Sequence, residues 1–147
     1  MNRTPNYRVW HNIEKRFVDL RSISFEKEEI VYDAQGEGNY YDTSPFRDVV
    51  FQQYTGLKDS KGVDIYEGDI VKYTIKPNQL NFDIANKYFF ADVVWHEHTS
   101  SFGCITKCKY NTDLSEDTFC SFGDLIRHTE SLEVAGNIFE PPNTKGN

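Results

Sequence analysis

The residues best suited to chemistry in this 147-residue chain are two histidines and three cysteines in its second half. His96 and His98 lie two positions apart, so both imidazoles would share one face of a strand. Cys104, Cys108 and Cys120 follow, which raises the question of zinc binding. However, no Cys-x-x-Cys pair occurs, and the spacings match no common zinc module. The sequence therefore predicts no metal site, with the histidines at a hairpin end and the cysteines as small buried side chains.

A second group of candidates consists of three carboxylates, Asp64, Glu67 and Asp69. Paired carboxylates can exchange protons or bind magnesium. Here an aspartate follows Gly68 directly, which is typical of a tight turn, and no basic side chain in this segment is placed to tune a carboxylate pKa. We interpret the group as turn residues.

Nucleophile and phosphate-binding signals are weaker still. Ser101 and Ser121 lie near His98 and Cys120 in the sequence, but without a nucleophile elbow or triad pattern. The run Gly36-Glu37-Gly38 lacks the lysine and helix start of a phosphate loop. The sequence therefore predicts no catalytic residue, no cofactor and no enzymatic activity.

A basic and aromatic strip is the one feature that favours nucleic acid. Lysines and rings of this kind can stack single-stranded bases, and the strip would contain Lys72, Lys76, Lys107 and Lys109 with Tyr73, Phe102 and Tyr110. The alternative is a solvated β face whose lysines discourage edge pairing. The formal net charge of −7 favours the alternative, because such a field repels phosphate.

Composition limits the remaining classes. No run approaches the ~20 apolar residues of a membrane-spanning helix, and the first residues lack the apolar stretch of a signal peptide. An odd number of cysteines without secretory signals indicates reduced thiols. We therefore expect a soluble, intracellular protein.

The elements that must position these residues are mostly strands. Alternation in Tyr7–Trp10 and Phe17–Leu20 predicts an N-terminal hairpin, and Asp33–Ser44 is predicted as a surface loop. Ser121 is predicted to cap one short helix over Phe122–His128. Further strands are predicted at Val49–Tyr54, Ile70–Tyr73, Tyr88–Trp95, Ser101–Ile105 and Leu132–Glu140, with an irregular excursion at Asn78–Asn86.

Three glycines divide the centre of the chain. Gly56, Gly62 and Gly68 are predicted to take the positive φ of tight turns. The apolar residues between them are predicted to point into a core: Leu57, Val63, Ile65, Ile70 and Val71. Together the patterns predict one mainly β domain over residues 1–147, with an ordered core over about 7–140 and a polar tail at 141–147. Its second half has the rhythm of a small, SH3-like barrel.

Three blocks of this sequence resemble the YopX family of small phage and prophage proteins. The central block is Gln53-Tyr54-Thr55-Gly56-Leu57-Lys58-Asp59, then Lys61-Gly62, then Ile65-Tyr66-Glu67-Gly68-Asp69-Ile70-Val71. Arg8-Val9-Trp10 with Phe17 is similar to the family's opening, and Val134-Ala135-Gly136-Asn137-Ile138-Phe139-Glu140-Pro141 to its ending. The segment from Pro77 to Cys120 matches less well.

The resemblance implies a mainly β fold, the cytoplasm of a bacterial host, and a capacity for self-association. It implies no activity for particular residues. We expect a non-enzymatic accessory protein that binds a phage or host protein or a second copy of itself. The alternative is a nucleic-acid-associated small β-barrel, and an enzyme is the third class.

Overall fold

The structure is a computed structural model that describes residues 6–76, 87–106 and 116–142. It divides into two compact units, Met1–Tyr54 (unit 1) and Thr55–Asn147 (unit 2). The prediction of one domain stays a prediction. The strands in chain order are β1 (Tyr7–His11), β2 (Arg16–Ser24), β3 (Glu29–Asp33), β4 (Tyr41–Pro45), β5 (Val49–Lys58), β6 (Asp64–Tyr66), β7 (Asp69–Ile75), β8 (Tyr88–His96), β9 (Ser101–Thr106), β10 (Thr118–Ser121) and β11 (Thr129–Asn137). The helix α1 spans Phe122–His128.

Unit 1 is an antiparallel sheet in the order β4-β3-β2-β1-β5. The predicted N-terminal hairpin is confirmed as β1 and β2, paired through Val9 and Val18. One face of this sheet forms the core of the unit, which is made of Val9, Val18, Ile30, Tyr32 and Val49. The loop predicted over Asp33–Ser44 is wrong in part, because Asp33 ends β3 and β4 begins at Tyr41. Pairing with β3 supplies backbone hydrogen bonds that its polar residues do not signal locally.

Unit 2 contains a second antiparallel sheet in the order β10-β9-β8-β7-β11. Its inward face packs a core that includes Val71, Tyr73, Ala91 and Leu132, and Phe122 and Leu125 of α1 join it. β8 is buried on both faces from Phe89 to Val93, as its nearly continuous apolar sequence indicates. The helix is confirmed with its cap: the Ser121 hydroxyl accepts a hydrogen bond from the Asp124 amide at 3.2 Å.

The mainly β fold with one short helix is confirmed for the described residues, whose strands form antiparallel sheets rather than a closed barrel. The positive φ predicted for Gly56, Gly62 and Gly68 is also confirmed. The tight turn predicted at Gly56 is wrong, because this residue lies inside β5. The inward position predicted for Val63 is wrong, since 49% of this residue is exposed. It follows the Gly62 turn, where the chain has not yet entered β6.

Candidate functional site

The structure separates the two histidines from the cysteines that were considered as zinc ligands. His96 ends β8, and its ring lies 5.6 Å from that of His98 and stacks on Phe119 at 4.0 Å. Cys104 and Cys120 belong to the core on the opposite, inward face of the same sheet. Cys108 falls outside the described residues. Across the described ranges, no three His, Cys, Asp or Glu side chains are grouped so that they could hold a metal.

Two of the candidate carboxylates, Asp64 and Asp69, have different contacts. Asp69 is fully buried and accepts a hydrogen bond from the Tyr66 amide at 2.8 Å. Asp64 forms an ion pair with Lys58 at the surface. The contact of Asp69 supports its interpretation as a turn residue. For Asp64 the interpretation is wrong, because this residue begins β6 and pairs with a lysine of the same segment.

Asp59 lies between β5 and the Gly62 turn and accepts hydrogen bonds from three backbone amides. Its Oδ1 accepts from the amides of Lys61 at 2.8 Å and Val63 at 2.9 Å, and its Oδ2 accepts from the Val134 amide at 3.0 Å. Burial by itself would raise the pKa of Asp59, but these three N–H groups and the nearby Lys61 outweigh it and lower the pKa. The carboxylate therefore fastens the loop between β5 and β6 to β11.

The described members of the basic and aromatic strip do not share a face. Tyr73 and Phe102 pack on the core of unit 2, whereas Lys72 precedes Tyr73 in β7 and therefore points to the other side. The Lys72 ammonium lies 3.6 Å from the ring centroid of Tyr88. Lys107, Lys109 and Tyr110 fall outside the described residues.

Sequence reasoning missed a polar cluster at the turn end of the β1–β2 hairpin. The buried Tyr32 donates its hydroxyl hydrogen to Glu14, and Arg16 forms an ion pair with the same carboxylate at 2.6 Å. Burial and this hydrogen bond raise the pKa of Tyr32 to about 12. Burial opposes ionisation of Glu14, but hydrogen bonds from Tyr32 and Arg16 lower its pKa. Because Glu14 is a weakened base and both partners are already bonded, we interpret the cluster as structural.

Among the residues that the structure describes, the most exposed aromatic one belongs to a chain of ring contacts in unit 1, which we call the aromatic row. The row comprises Tyr7, Phe51, Phe46 and Phe25, joined edge to face at centroid distances of 6.1, 5.3 and 6.0 Å. Phe46 and Phe51 pack against the core, whereas Phe25, in the β2–β3 turn, is 79% exposed. The sequence around Phe25 does not indicate this exposure, because phenylalanine is ordinarily buried.

Comparison with known proteins identifies the family. The family described as "YopX protein" matches residues 6–144. The chain belongs to the YopX family. The crystal structure of protein EF1440 from Enterococcus faecalis is similar to this YopX-family chain, with a TM-score of 0.53 and 25% sequence identity over 97% of this chain and 98% of that one. No curated protein matches.

Two of the blocks that resemble the YopX family meet directly within unit 2. Asp59, in the central block, accepts from Val134 in the C-terminal block. The Gly68 carbonyl accepts from the Ile138 amide at 2.9 Å, and the Gly68 amide donates to Val93 at 2.9 Å. The central and C-terminal blocks are thus joined by hydrogen bonds.

Among the described residues, no helix has the length and apolarity that crossing a membrane would require.

Proposed function

We propose that this YopX-family protein is a phage or prophage accessory protein of the host cytoplasm, which has no enzymatic activity and acts by binding another protein. The observation that carries the proposal is the exposure of Phe25 at the end of the aromatic row. Aromatic side chains dominate the energetics of protein interfaces, and burying one phenylalanine side chain stabilises a complex by about 1.5 to 3 kcal/mol.

Phe25 is supported by a turn with defined contacts. The Ser24 hydroxyl accepts from the Lys27 amide at 3.2 Å, and the Phe46 amide donates to the Glu28 carbonyl at 2.8 Å. The ring therefore stands on a hydrogen-bonded turn and against a partly buried neighbour. A side chain that is held in place before binding loses less conformational entropy in the complex.

Charge supports a particular kind of partner. Glu26 and Glu28 follow the exposed ring in the same turn and are themselves exposed, with the exposed Lys27 between them, within a chain of net charge −7. An apolar pocket bordered by basic side chains would complement this turn. The nucleic-acid alternative receives less support, because Lys72 lies on the opposite face of β7 from Tyr73.

A second copy of the chain is included among the proposed partners. Addition of a strand at the edge of β4 is disfavoured, because the Thr43 amide already donates to Asp42 at 2.8 Å and Pro45 has no amide hydrogen. Self-association would instead use the aromatic row.

Affinity capture from lysogenic or infected bacteria tests the proposal, with tagged wild-type chain, Phe25→Ser and Ile13→Ser compared by quantitative mass spectrometry. Ile13 is a matched control, because it is 70% exposed in the β1–β2 hairpin turn of unit 1. We expect a protein that is retained by the wild type and Ile13→Ser and depleted with Phe25→Ser, or a larger mass by light scattering that only Phe25→Ser reduces. The proposal is overturned if the two variants behave alike.

A further inference from the structure

Two thiols face each other across neighbouring strands of unit 2. Cys104 in β9 is the direct antiparallel partner of Cys120 in β10. Directly opposed residues project to the same face of a sheet, and both side chains do pack on the core. Cys104 is fully buried, whereas Cys120 is half-buried, and both are free thiols. Fifteen residues separate them in the sequence.

The spacing of opposed residues suits a covalent bond between these thiols. In antiparallel sheets such residues have Cα atoms about 4.5 to 5.5 Å apart, within the range of about 4.4 to 6.8 Å that disulfides span. In such pairs the Cβ atoms are also about 4.5 to 5.5 Å apart. A small movement of β10 towards β9 would therefore bring the Cβ atoms of Cys104 and Cys120 to the distance that a disulfide requires. β10 is the edge strand of its sheet, so its outer side is free of a further strand in that sheet.

We propose that Cys104 and Cys120 form a dithiol site that low-molecular-weight disulfides such as oxidised glutathione convert into a cross-strand disulfide. The half-buried Cys120 thiolate attacks the reagent, forms a mixed disulfide and releases one glutathione thiolate. The Cys104 thiolate then attacks the Cys120 sulfur and releases the second glutathione. Each cysteine loses one proton, which a released thiolate takes up, so two thiols are oxidised as one glutathione disulfide is reduced to two thiols.

The bond would join the edge strand β10, and α1 directly after it, to β9. Burial raises the pKa of Cys104, with Cys120 and Asp92 nearby adding to the effect. Burial also raises the pKa of Cys120, with a contribution from Asp124. A low thiolate fraction makes exchange slow, so the site responds to prolonged oxidation rather than to a brief pulse.

Equilibration of the Cys108→Ser chain with reduced and oxidised glutathione, in buffer and in urea, tests the proposal. In urea the two cysteines are ends of a flexible loop with an effective concentration in the millimolar range. We expect the native fold to favour the disulfide at least about tenfold more than the unfolded chain does. Peptide mapping should place the bond between residues 104 and 120, and Cys104→Ser in the same background should carry only a glutathione adduct.

Two controls keep the result interpretable. Cys120→Ser replaces the half-buried thiol and serves if Cys104→Ser fails to fold. Mapping of the wild-type chain tests the same bond if Cys108→Ser fails to fold. A native equilibrium equal to or below that in urea would overturn the proposal, as would native protein that carries only glutathione adducts or bonds through Cys108.

Discussion

Replacing Asp59 with asparagine should strongly destabilise unit 2, although the two side chains have nearly the same size and shape. Asparagine keeps one carbonyl oxygen, which can still accept from the amides of Lys61 and Val63. Its NH₂ group, however, replaces the oxygen that accepts from the Val134 amide, so two donors would face each other there.

The magnitude follows from the three hydrogen bonds. A hydrogen bond to a charged group contributes about 1.5 to 3 kcal/mol and a neutral one about 1 kcal/mol. Losing the bond from Val134 and weakening the other two by roughly 1 kcal/mol in total gives about 2.5 to 4 kcal/mol. That is a large part of the 5 to 15 kcal/mol that typically stabilises a domain.

Urea unfolding, followed by circular dichroism, measures the effect. Asp64→Asn is the matched control, because its ion pair with the exposed Lys58 should contribute less than about 1 kcal/mol. The pKa of Asp59 is lowered in the fold, so its stabilisation is present above the ordinary value of 3.8 and is lost as pH falls through the folded pKa. The difference in unfolding free energy between wild type and Asp59→Asn should therefore become smaller in acid. Equal unfolding free energies for Asp59→Asn and Asp64→Asn, or a difference from wild type that acid leaves unchanged, would contradict the role assigned to the Asp59 carboxylate.

Four further predictions concern turns, protonation, metals and nucleic acid. Gly68→Val should lower the melting temperature much more than Glu67→Gln, because the φ of 78° at Gly68 strains a β-branched residue by about 1 to 3 kcal/mol; equal melting temperatures would contradict this. Ultraviolet titration should show a tyrosine component with a pKa of about 12, which belongs to Tyr32 if Glu14→Gln lowers it; burial also raises the pKa of Tyr73, but Glu14→Gln should leave that component unchanged. The stabilisation that Tyr32 contributes is full below pH 10.0 and is lost as pH rises through about 12, and a titration that Glu14→Gln leaves unchanged would argue against the assigned bond. Elemental analysis of protein purified without chelator should find no stoichiometric zinc; one zinc per chain, lost with stability in Cys104→Ser, would reverse the prediction. Binding to generic duplex DNA should be absent at about 50 mM salt; micromolar binding there that vanishes at about 200 mM, and that Lys107→Glu or Lys109→Glu abolishes, would favour the nucleic-acid alternative.

Local signals predicted the elements that depend on local contacts. The hydroxyl of Ser121 caps α1 through Asp124, three residues away, and the positive φ of Gly68 belongs to its own turn. β4 was missed because its stability comes from β3, where Ser44 pairs with Ile30. The amino-acid types of residues 33–44 do not indicate that pairing.

The candidate sites illustrate the same limit. Alternation along β7 already indicated that Lys72 and Tyr73 face opposite ways, so part of the proposed strip could have been rejected from the sequence. The meeting of Tyr32 with Glu14 joins residues 18 apart, and the facing of Cys104 and Cys120 depends on strand register. Both require the tertiary structure, since nothing in either segment specifies its partner.

The blunted edge of β4 has a consequence for how densely this protein can accumulate in a cell. An exposed phenyl ring favours contact between copies of the chain. A nearby strand edge with unpaired backbone amides would extend each such contact into a growing sheet. With the Thr43 amide bonded to Asp42 and no amide hydrogen at Pro45, this edge offers little template for such growth. Crowded copies could touch through Phe25 and separate again, so the chain can keep an adhesive side chain without forming fibrils from this edge.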